Sequence, residues 1–504
     1  MASLWQLTAP RIPTDEWRAV PGTVDAIVVG AGLTGLVTAV LLARAGVQTV
    51  VLEAREIGAA TTGNTTGKLS ILQGDVFSEI RQHSGDDVLH AYAQANLEGQ
   101  AWLLRESRRM GIALERRPAI TYVAADTDDL DTQLATLEAE RAAMEAAGIE
   151  VVPDAMTEDP VAAADAMRLD DQAQLQPMAV LAGLADELRE RGGRIVTGCR
   201  VRDVQENGEA VSVVSDRGTV EAARCVLATG FPILDRGLFF AKLDPSRSYA
   251  AAYRLPHESP PRGMYLALGS SGRSLRTATG ADGEEILVVG GGPHVTGRSP
   301  DTARALGGID AWTAERFSSP ERVAWWGAQD YRTHWRLPFA GALPRGGGRI
   351  YTATGYNKWG MTNAVAAGLT IAADMLGGRL EWAHTLRERA LRIPAVKAVV
   401  GANAEVGRRV IVDWASSGAG TGGGDDEPAE GDGIVVREGA SPIAISRVDG
   451  SICRLSAVCP HLGGIVTWNR AERSWDCPLH ASRFSATGER LEGPAVDDLA
   501  SAPV

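Results

Sequence analysis

The residues from Val24 to Ala54 constrain the fold of this chain more than any other stretch. A short β-type apolar run, VDAIVV, is followed by the turn GAGLTG, by the apolar helical pattern LVTAVLLARAG and by a second β-type run, VQTVVLEA. A strand, a helix and a second strand in this order make a β-α-β unit, read from hydrophobic period and punctuation. The sequence therefore predicts an α/β domain.

The turn of this unit has the spacing GxGxxG. In dinucleotide sites the first glycine permits the tight turn, the second lets backbone N–H groups approach the pyrophosphate, and the third lets the helix pack close to the strand. Glu53 ends the second strand, where a carboxylate can accept hydrogen bonds from ribose hydroxyls. The pattern predicts a dinucleotide site, without separating FAD from NAD, made by Gly30, Ala31, Gly32, Leu33, Thr34, Gly35, Glu53 and Ala54.

The remaining chain up to residue 395 alternates helical and β-type patterns. Amphipathic helices are predicted at about 91–110, 127–147, 178–193 and 361–376, and strands at 225–230 and 349–355. Residues 247–330 alternate short β-type segments with Gly/Pro/Ser turns, which predicts an antiparallel sheet. A second glycine cluster, VVGGGP at 288–293, is interpreted as a strand and turn, because no helix follows to receive a pyrophosphate.

Residues 416–433, SSGAGTGGGDDEPAEGDG, contain almost no apolar side chains. Such a segment cannot bury a core, so a flexible linker is predicted there. The segment that follows, 434–504, has its own β-type runs and is small enough to need a staple such as a metal centre.

That last segment carries CPH and CPLH, with fifteen residues between His461 and Cys477. The predicted metal ligands are Cys459, His461, Cys477 and His480. Two thiolates and two imidazoles can hold a 2Fe–2S cluster with both histidines on one iron, although Cys₂His₂ also suits tetrahedral zinc. The sequences CPHLGG, CPLHASRF and EGPA (492–495) resemble the two cluster loops and the proline loop of Rieske domains, which favours iron. Gly464 and Leu479 stand where many Rieske proteins have a disulfide.

Three further segments, TTGNTTGKLS (61–70), CVLATG (225–230) and IYTATGYNKWGMTN (350–363), resemble the D-amino-acid-oxidase and glycine-oxidase superfamily of FAD enzymes. The resemblance covers about residues 20–395. In that superfamily the last segment begins a helix whose N-terminus faces the flavin N1–C2=O edge, where Lys358 is a candidate cation and Lys68 a second one. It implies FAD contacts from Thr65, Thr66, Lys68, Val201, Thr229, Gly230, Gly355, Lys358, Trp359, Gly360, Met361 and Thr362.

The whole chain resembles bacterial FAD-dependent oxidoreductases with a C-terminal Rieske domain. The implied architecture is an α/β Rossmann-like FAD-binding domain (about 24–95, 175–240 and 335–395), interleaved with an antiparallel-sheet substrate domain (about 96–174 and 241–334). A connector and linker (396–433) and a small all-β Rieske domain (434–504) complete it.

The resemblance implies oxidation of an amine, amino acid or other C–N substrate by hydride transfer to FAD. Electrons would then pass singly through the cluster to an external one-electron acceptor. The alternative is an electron-transfer reductase in which the cluster exchanges electrons between the flavin and a protein partner without amine turnover. Asp330 and His334 are candidates to line the pocket, but the sequence designates no catalytic base.

Composition excludes some other classes. The net charge of −13 argues against a nucleic-acid partner. No window approaches the roughly 18 apolar residues of a membrane helix, and the N-terminus lacks a signal-peptide pattern. Five cysteines are too few for a disulfide scaffold in so long a chain. These features predict a cytoplasmic protein.

Overall fold

The computed structural model describes residues 2–154, 161–234, 236–269, 272–392 and 427–502. Most of the predicted linker, residues 396–426, lies outside the described residues. Among the described helices, none combines the length and the apolar character that a membrane span requires. The helices are α1 (Leu4–Thr8), α2 (Leu33–Arg44), α3 (Val76–Ser84), α4 (Asp86–Arg109), α5 (Leu130–Ala146), α6 (Pro177–Glu190), α7 (Thr302–Arg316), α8 (Gly360–Met375) and α9 (Glu381–Arg392).

The strands form four sheets. They are β1 (Thr23–Val29), β2 (Thr49–Leu52), β3 (Lys68–Leu69), β4 (Leu114–Ala124), β5 (Val152–Pro153), β6 (Ala163–Leu175), β7 (Arg194–Val196), β8 (Val201–Asn207), β9 (Ala210–Ser215), β10 (Gly218–Leu227), β11 (Leu243–Arg254), β12 (Met264–Ala267), β13 (Ser274–Thr279), β14 (Glu285–His294), β15 (Glu321–Thr333), β16 (Phe339–Ala342), β17 (Ile350–Thr354), β18 (Gly433–Glu438), β19 (Ser441–Val448), β20 (Ser451–Ser456), β21 (Thr467–Asn469), β22 (Ser474–Asp476), β23 (Arg483–Ser485) and β24 (Arg490–Glu492).

The first sheet has the order β16-β17-β10-β1-β2-β7, with the β8–β9 hairpin joined to β10. Strands β17, β10, β1, β2 and β7 run parallel, and the apolar runs of β1 and β2 are typical of parallel strands covered on both faces. The chain leaves β1 toward β2 on one side and returns in β10 on the other. The carboxyl end of β1 is therefore a switch point, where ligands bind in open α/β sheets. The predicted Rossmann-like core is confirmed.

The second sheet has nine strands in the order β15-β11-β14-β13-β12-β4-β6-β3, with β5 added to β6. Most of its pairs are antiparallel, as predicted for 247–330, whereas β12 pairs with β4 in parallel. The cluster VVGGGP lies within β14, which pairs with both β11 and β13. Its interpretation as a strand, rather than a second nucleotide turn, is confirmed.

The two predicted parts of the catalytic region share elements. Strand β3, from the predicted FAD-binding part, pairs with β6 of the second sheet. Helix α4, which reaches into the predicted substrate part, packs on α8 so closely that a Cβ at Gly99 would lie 2.5 Å from the carbonyl oxygen of Thr362. The exact domain boundaries stay a prediction.

The C-terminal domain contains two small antiparallel sheets, β18-β19-β20 and β21-β22-β23-β24. Its apolar core includes the fully buried side chains of Trp475 and Phe484, which form a cross-strand pair on β22 and β23. The loops that follow β20 and β22 carry the predicted metal ligands. The prediction of an all-β domain with its own core is confirmed.

Candidate functional site: two cofactor sites and the contact between them

The turn between β1 and α2 has no room for side chains at two of its glycines. Gly30 has a φ of +105°, and a Cβ there would lie 2.5 Å from the carbonyl oxygen of Ala228. A Cβ at Gly35 would lie 1.9 Å from the carbonyl oxygen of Gly30. Glycine is therefore required at both positions for the helix to begin against the end of the strand.

The carboxylate of Glu53 is held in a fixed orientation at the end of β2. One oxygen accepts a hydrogen bond from the Ala31 N–H at 2.8 Å, and the other accepts one from the Arg55 N–H at 2.9 Å. Each carboxylate oxygen keeps a free lone pair for a further donor. Glu53 thus lies next to the glycine turn, in the position expected for a ribose-binding acid.

A cavity of about 620 Å³ opens at this switch point. Three of the predicted cofactor residues do not line it: Ala31 and Gly35 shape the turn, and Thr362 donates to Asn96 Oδ1 at 2.6 Å. The predicted residues that line it are Gly30, Gly32, Leu33, Thr34, Glu53, Ala54, Thr65, Thr66, Lys68, Val201, Thr229, Gly230, Gly355, Lys358, Trp359, Gly360 and Met361. Segments far apart in sequence are therefore brought to one cavity.

Lys68 is a buried cation at this cavity. Its Nζ donates to the carbonyl oxygen of Tyr265 at 2.6 Å and to Ser274 Oγ at 2.5 Å, both neutral acceptors. Burial, with a contribution from the nearby Arg276 charge, lowers the pKa of Lys68 to about 7. The ammonium would be stabilised by any negative charge placed in the cavity.

Lys358 lies just before α8 and lines the same cavity. It has a φ of +72°, its backbone N–H donates to Asp330 Oδ2, and its Nζ donates to Ser248 Oγ. Burial lowers the pKa of Lys358 to about 8 and raises that of Asp330 to about 6. Asp330 lines the cavity as expected, whereas His334 does not and lies 3.7 Å from Asp244.

The described residues fit FAD. The cavity has the glycine cradle, the acid of a ribose site and buried cations, and Arg332 Nε in its wall is buried without a hydrogen-bond partner among the described residues. Such donors need an anionic or polar ligand.

The four predicted metal ligands form two pairs. Cys459 and Cys477 are buried and in hydrogen-bond contact through their sulfur atoms, and the rings of His461 and His480 lie 5.0 Å apart. Both ring nitrogens of His480 are buried without a hydrogen-bond partner among the described residues, so this imidazole is available to bind a metal. Among the described residues, no group of three or more His, Cys, Asp or Glu side chains is arranged to hold a single metal ion. Two sulfurs on one side and two imidazoles on the other fit the two irons of a Rieske cluster.

Gly464 and Leu479, where many Rieske proteins have a disulfide, also lie next to each other in the structure. A Cβ at Gly464 would lie 2.7 Å from Leu479 Cδ1 and 3.0 Å from Cys477 Sγ. The leucine side chain therefore packs on the glycine where a disulfide would otherwise link the two loops.

The cluster loops pack against the flavin-binding region. The ring of His461 lies 6.5 Å from that of Phe231, and the ring of His480 lies 5.7 Å from that of Phe240. Arg298 Nε donates to the carbonyl oxygen of Pro478 at 2.8 Å, and Gln329 Nε2 donates to that of Ala481 at 3.1 Å. Both predicted histidine ligands thus face the other domain.

A buried ion network crosses the same contact. Arg247 of β11 pairs with Glu472, which also accepts from Arg483 at 2.8 Å, and Arg483 reaches Asp476 at 2.9 Å. Burial opposes the ionisation of Glu472, but Arg247 and Arg483 outweigh it and hold its pKa at about 2.

Sequence reasoning did not find several residues of this assembly. Phe231, Tyr331, Arg247 and Arg490 contribute to the contact or to the cavity, but none belongs to a motif. Their partners lie roughly a hundred residues or more away in the chain, so no local spacing could have indicated them.

Comparison with known proteins agrees with this geometry. The family model described as FAD dependent oxidoreductase matches residues 25–374, and that of the Rieske [2Fe-2S] domain matches residues 424–503. The chain is 27% identical over 489 residues to the Rieske 2Fe-2S iron-sulfur protein YhfW of Bacillus subtilis, covering 94% of this chain and 92% of that protein.

Two further relatives match the flavin region. Gamma-glutamylputrescine oxidoreductase of Escherichia coli is 31% identical over 212 residues, covering 41% of this chain and 49% of that protein. The crystal structure of glycine oxidase from Geobacillus kaustophilus has a TM-score of 0.60 at 18% identity, covering 71% of this chain and 96% of that one. The chain therefore belongs to the FAD-dependent oxidoreductase family of amino-acid-oxidase type, and it carries a C-terminal Rieske domain.

Proposed function

We propose that this enzyme oxidises an amine or amino acid and passes the electrons through its own Rieske cluster to an external one-electron acceptor. When bound, FAD would supply the means to accept a hydride from a C–H bond and to release the two electrons singly, and the cluster would supply one-electron transfer. Loss of the hydride from carbon and of a proton from nitrogen converts the amine to an imine. The protein's task is to bind the substrate in the cavity and to keep the two cofactors close.

The observation that carries the proposal is an aromatic path between the sites. The ring of His461 contacts that of Phe231, whose ring lies 5.4 Å from that of Tyr331, and Tyr331 lines the cavity. The Tyr331 hydroxyl accepts from Gln329 Nε2 at 2.8 Å, and Gln329 also bonds the Ala481 carbonyl of a cluster loop. Electron transfer falls steeply with distance, so a closely packed path favours exchange within one chain.

The charges around the cavity support one class of substrate. Lys358 and Arg332 line it, and Arg332 Nε has no hydrogen-bond partner among the described residues. A guanidinium binds a carboxylate through paired hydrogen bonds. Glycine oxidase and gamma-glutamylputrescine oxidoreductase are named for amino-group substrates that also bear a carboxylate. A carboxylated amine is the class that fits best.

The predicted flavin contacts enter the same proposal. Lys68 and Lys358 are proposed to stabilise the negative charge that a reduced flavin carries. Thr65, Thr66, Thr229 and Gly230 are proposed to bind its ribityl and pyrophosphate parts. No side chain is assigned as a base, because an unprotonated amine can surrender hydride directly.

The test is anaerobic mixing of the enzyme with a panel of amines and amino acids. We expect a substrate to bleach the flavin and then to produce the EPR signal of the reduced cluster. His480→Ala should abolish that signal and slow transfer to one-electron acceptors, while flavin bleaching by substrate persists, because the hydride step needs no iron. His90→Ala, at an exposed position of α4, is the control for histidine replacement.

Full turnover of His480→Ala with its acceptor would refute the relay. Loss of flavin bleaching in that variant, with FAD still bound, would instead mean that electrons enter through the cluster. That result would favour the electron-transfer reductase over the amine-oxidising enzyme.

A further inference from the structure

The C-terminal domain supplies part of the wall of the FAD cavity. Arg490, Leu491, Glu492 and Gly493, on and after β24, line it together with the glycine turn of the first sheet. Arg490 is anchored by its backbone, since its carbonyl oxygen accepts from Arg200 Nη2 at 3.0 Å. The side chain of Arg490, which belongs to the Rieske domain, therefore lies at the nucleotide site that the FAD-binding domain builds.

The guanidinium of Arg490 lacks partners inside the protein. Its Nε and Nη1 are buried without a hydrogen-bond partner among the described residues, and so is Nη1 of Arg200 beside it. Burial, together with the positive charges of Arg200 and Arg55, lowers the pKa of Arg490 to about 10. Buried donors without partners cost free energy, and an anion between these arginines would supply the missing hydrogen bonds and offset the repulsion.

Nearby carboxylates do not supply that anion. No carboxylate of the described residues accepts from Arg490 Nε or Nη1, and Glu492 pairs with Arg247 at 3.4 Å. Asp498, 3.8 Å from Arg200, is a mostly exposed side chain. Arg55, Arg200 and Arg490 line the cavity, and Glu53 is the carboxylate whose charge acts on Arg490 there, so positive charge is in excess around this guanidinium.

The position indicates which anion fits. Arg490 interacts electrostatically with both Glu53 and Tyr331, and it packs beside Gly493, where a Cβ would lie 3.7 Å from its Nη2. Glu53 marks the ribose end of a dinucleotide site, and the adjoining glycine turn marks its pyrophosphate. An arginine fork in this position matches the geometry of phosphate oxygens.

We propose that Arg490 of the Rieske domain binds a phosphate oxygen of FAD, so that one cofactor is held by both domains. The bound pyrophosphate would relieve the repulsion among the three arginines. FAD binding would in this way also strengthen the contact on which transfer between flavin and cluster depends.

The test compares two flavins on the full-length protein with its cluster in place. FAD is removed, and the dissociation constants of FAD and of riboflavin, which has no phosphate, are measured by fluorescence quenching. Arg490→Ala should weaken FAD binding about 10- to 100-fold, the loss of one or two hydrogen bonds to a charged group, and leave riboflavin binding unchanged. The salt dependence of FAD binding should also decrease.

Arg473→Ala is the matched control, since Arg473 is an exposed arginine of the same domain that pairs with the exposed Asp449. Arg490→Lys keeps the positive charge but lacks the two-pronged guanidinium, so it should lose less affinity for FAD than Arg490→Ala. It replaces Arg490→Ala in the test if the alanine variant does not fold. An unchanged FAD dissociation constant in both variants would overturn the proposal. Equal weakening of FAD and riboflavin would overturn it too, because Arg490 would then act only through the fold.

Discussion

The domain contact and the flavin cavity both bury cations, but they treat them differently. At the contact, Arg247 and Arg483 are almost fully buried and each is paired with a carboxylate. At the cavity, Lys68 is buried and bonds the Tyr265 carbonyl, and Arg276 behind it is equally buried and bonds neutral oxygens such as the Gly67 carbonyl.

The pKa shifts follow this difference. Burial lowers the pKa of Arg276 to about 9 and that of Lys68 to about 7, whereas the carboxylates at the contact keep Arg483 charged, with its pKa raised above the usual value. Paired charges hold two domains in one arrangement. Unpaired charges remain available for an anion that the protein itself does not supply.

The largest effect is expected from removing one partner of the paired set. Glu472→Gln leaves Arg247 buried opposite a neutral amide, and such a break costs about 3–5 kcal/mol. Urea unfolding of the full chain, followed by the visible circular dichroism of the cluster, measures the loss. Asp497→Asn breaks an exposed pair with Arg202 across the same contact and should cost less than about 1 kcal/mol. Equal effects of the two substitutions would mean that the buried network does not hold the domains together.

Lys68 provides a test of the unpaired set. Its pKa is about 7 in the folded protein and near 10.5 when unfolded, so between these values the unfolded state binds more protons. The free energy of unfolding of FAD-free protein should therefore rise with pH in this window, by up to about 1.4 kcal/mol per pH unit from this group. Lys68→Met should lack this rise and gain most over the wild type below pH 7. A parallel pH profile in the variant would contradict the unpaired lysine.

A smaller effect is expected at Lys358, because its side chain is exposed at the cavity and its pKa is lowered less than that of Lys68. Its folded pKa of about 8 leaves only the window from pH 8 to about 10.5, so the contribution to the pH slope begins later and sums to less. Comparing Lys358→Met with Lys68→Met in the same titration measures how much the two lysines differ in their contributions to the pH slope. A larger loss of slope in Lys358→Met would reverse the order of the two sites.

The sites also differ in how far the sequence predicts them. The predicted cluster ligands lie on two short loops, His461 following Cys459 by two residues and His480 following Cys477 by three. Spacing within a loop limits where side chains can reach, so ligand types and order were sufficient to predict the pairs. The glycine turn with Glu53 is similarly local, because one β-α-β unit builds it.

By itself the sequence determined the parallel core, the glycine turn, the antiparallel character of 247–330 and the pairing of the Cys/His loops. Each of these depends on residues within one unit of secondary structure. Only the tertiary structure decided that the rings of Phe231 and Tyr331 lie between His461 and the cavity, that Arg490 lines that cavity, and that buried Lys68 bonds neutral oxygens. These contacts join strands and loops that lie up to hundreds of residues apart in the sequence. The hydrophobic pattern shows that an element is buried, but it does not show which element packs against it.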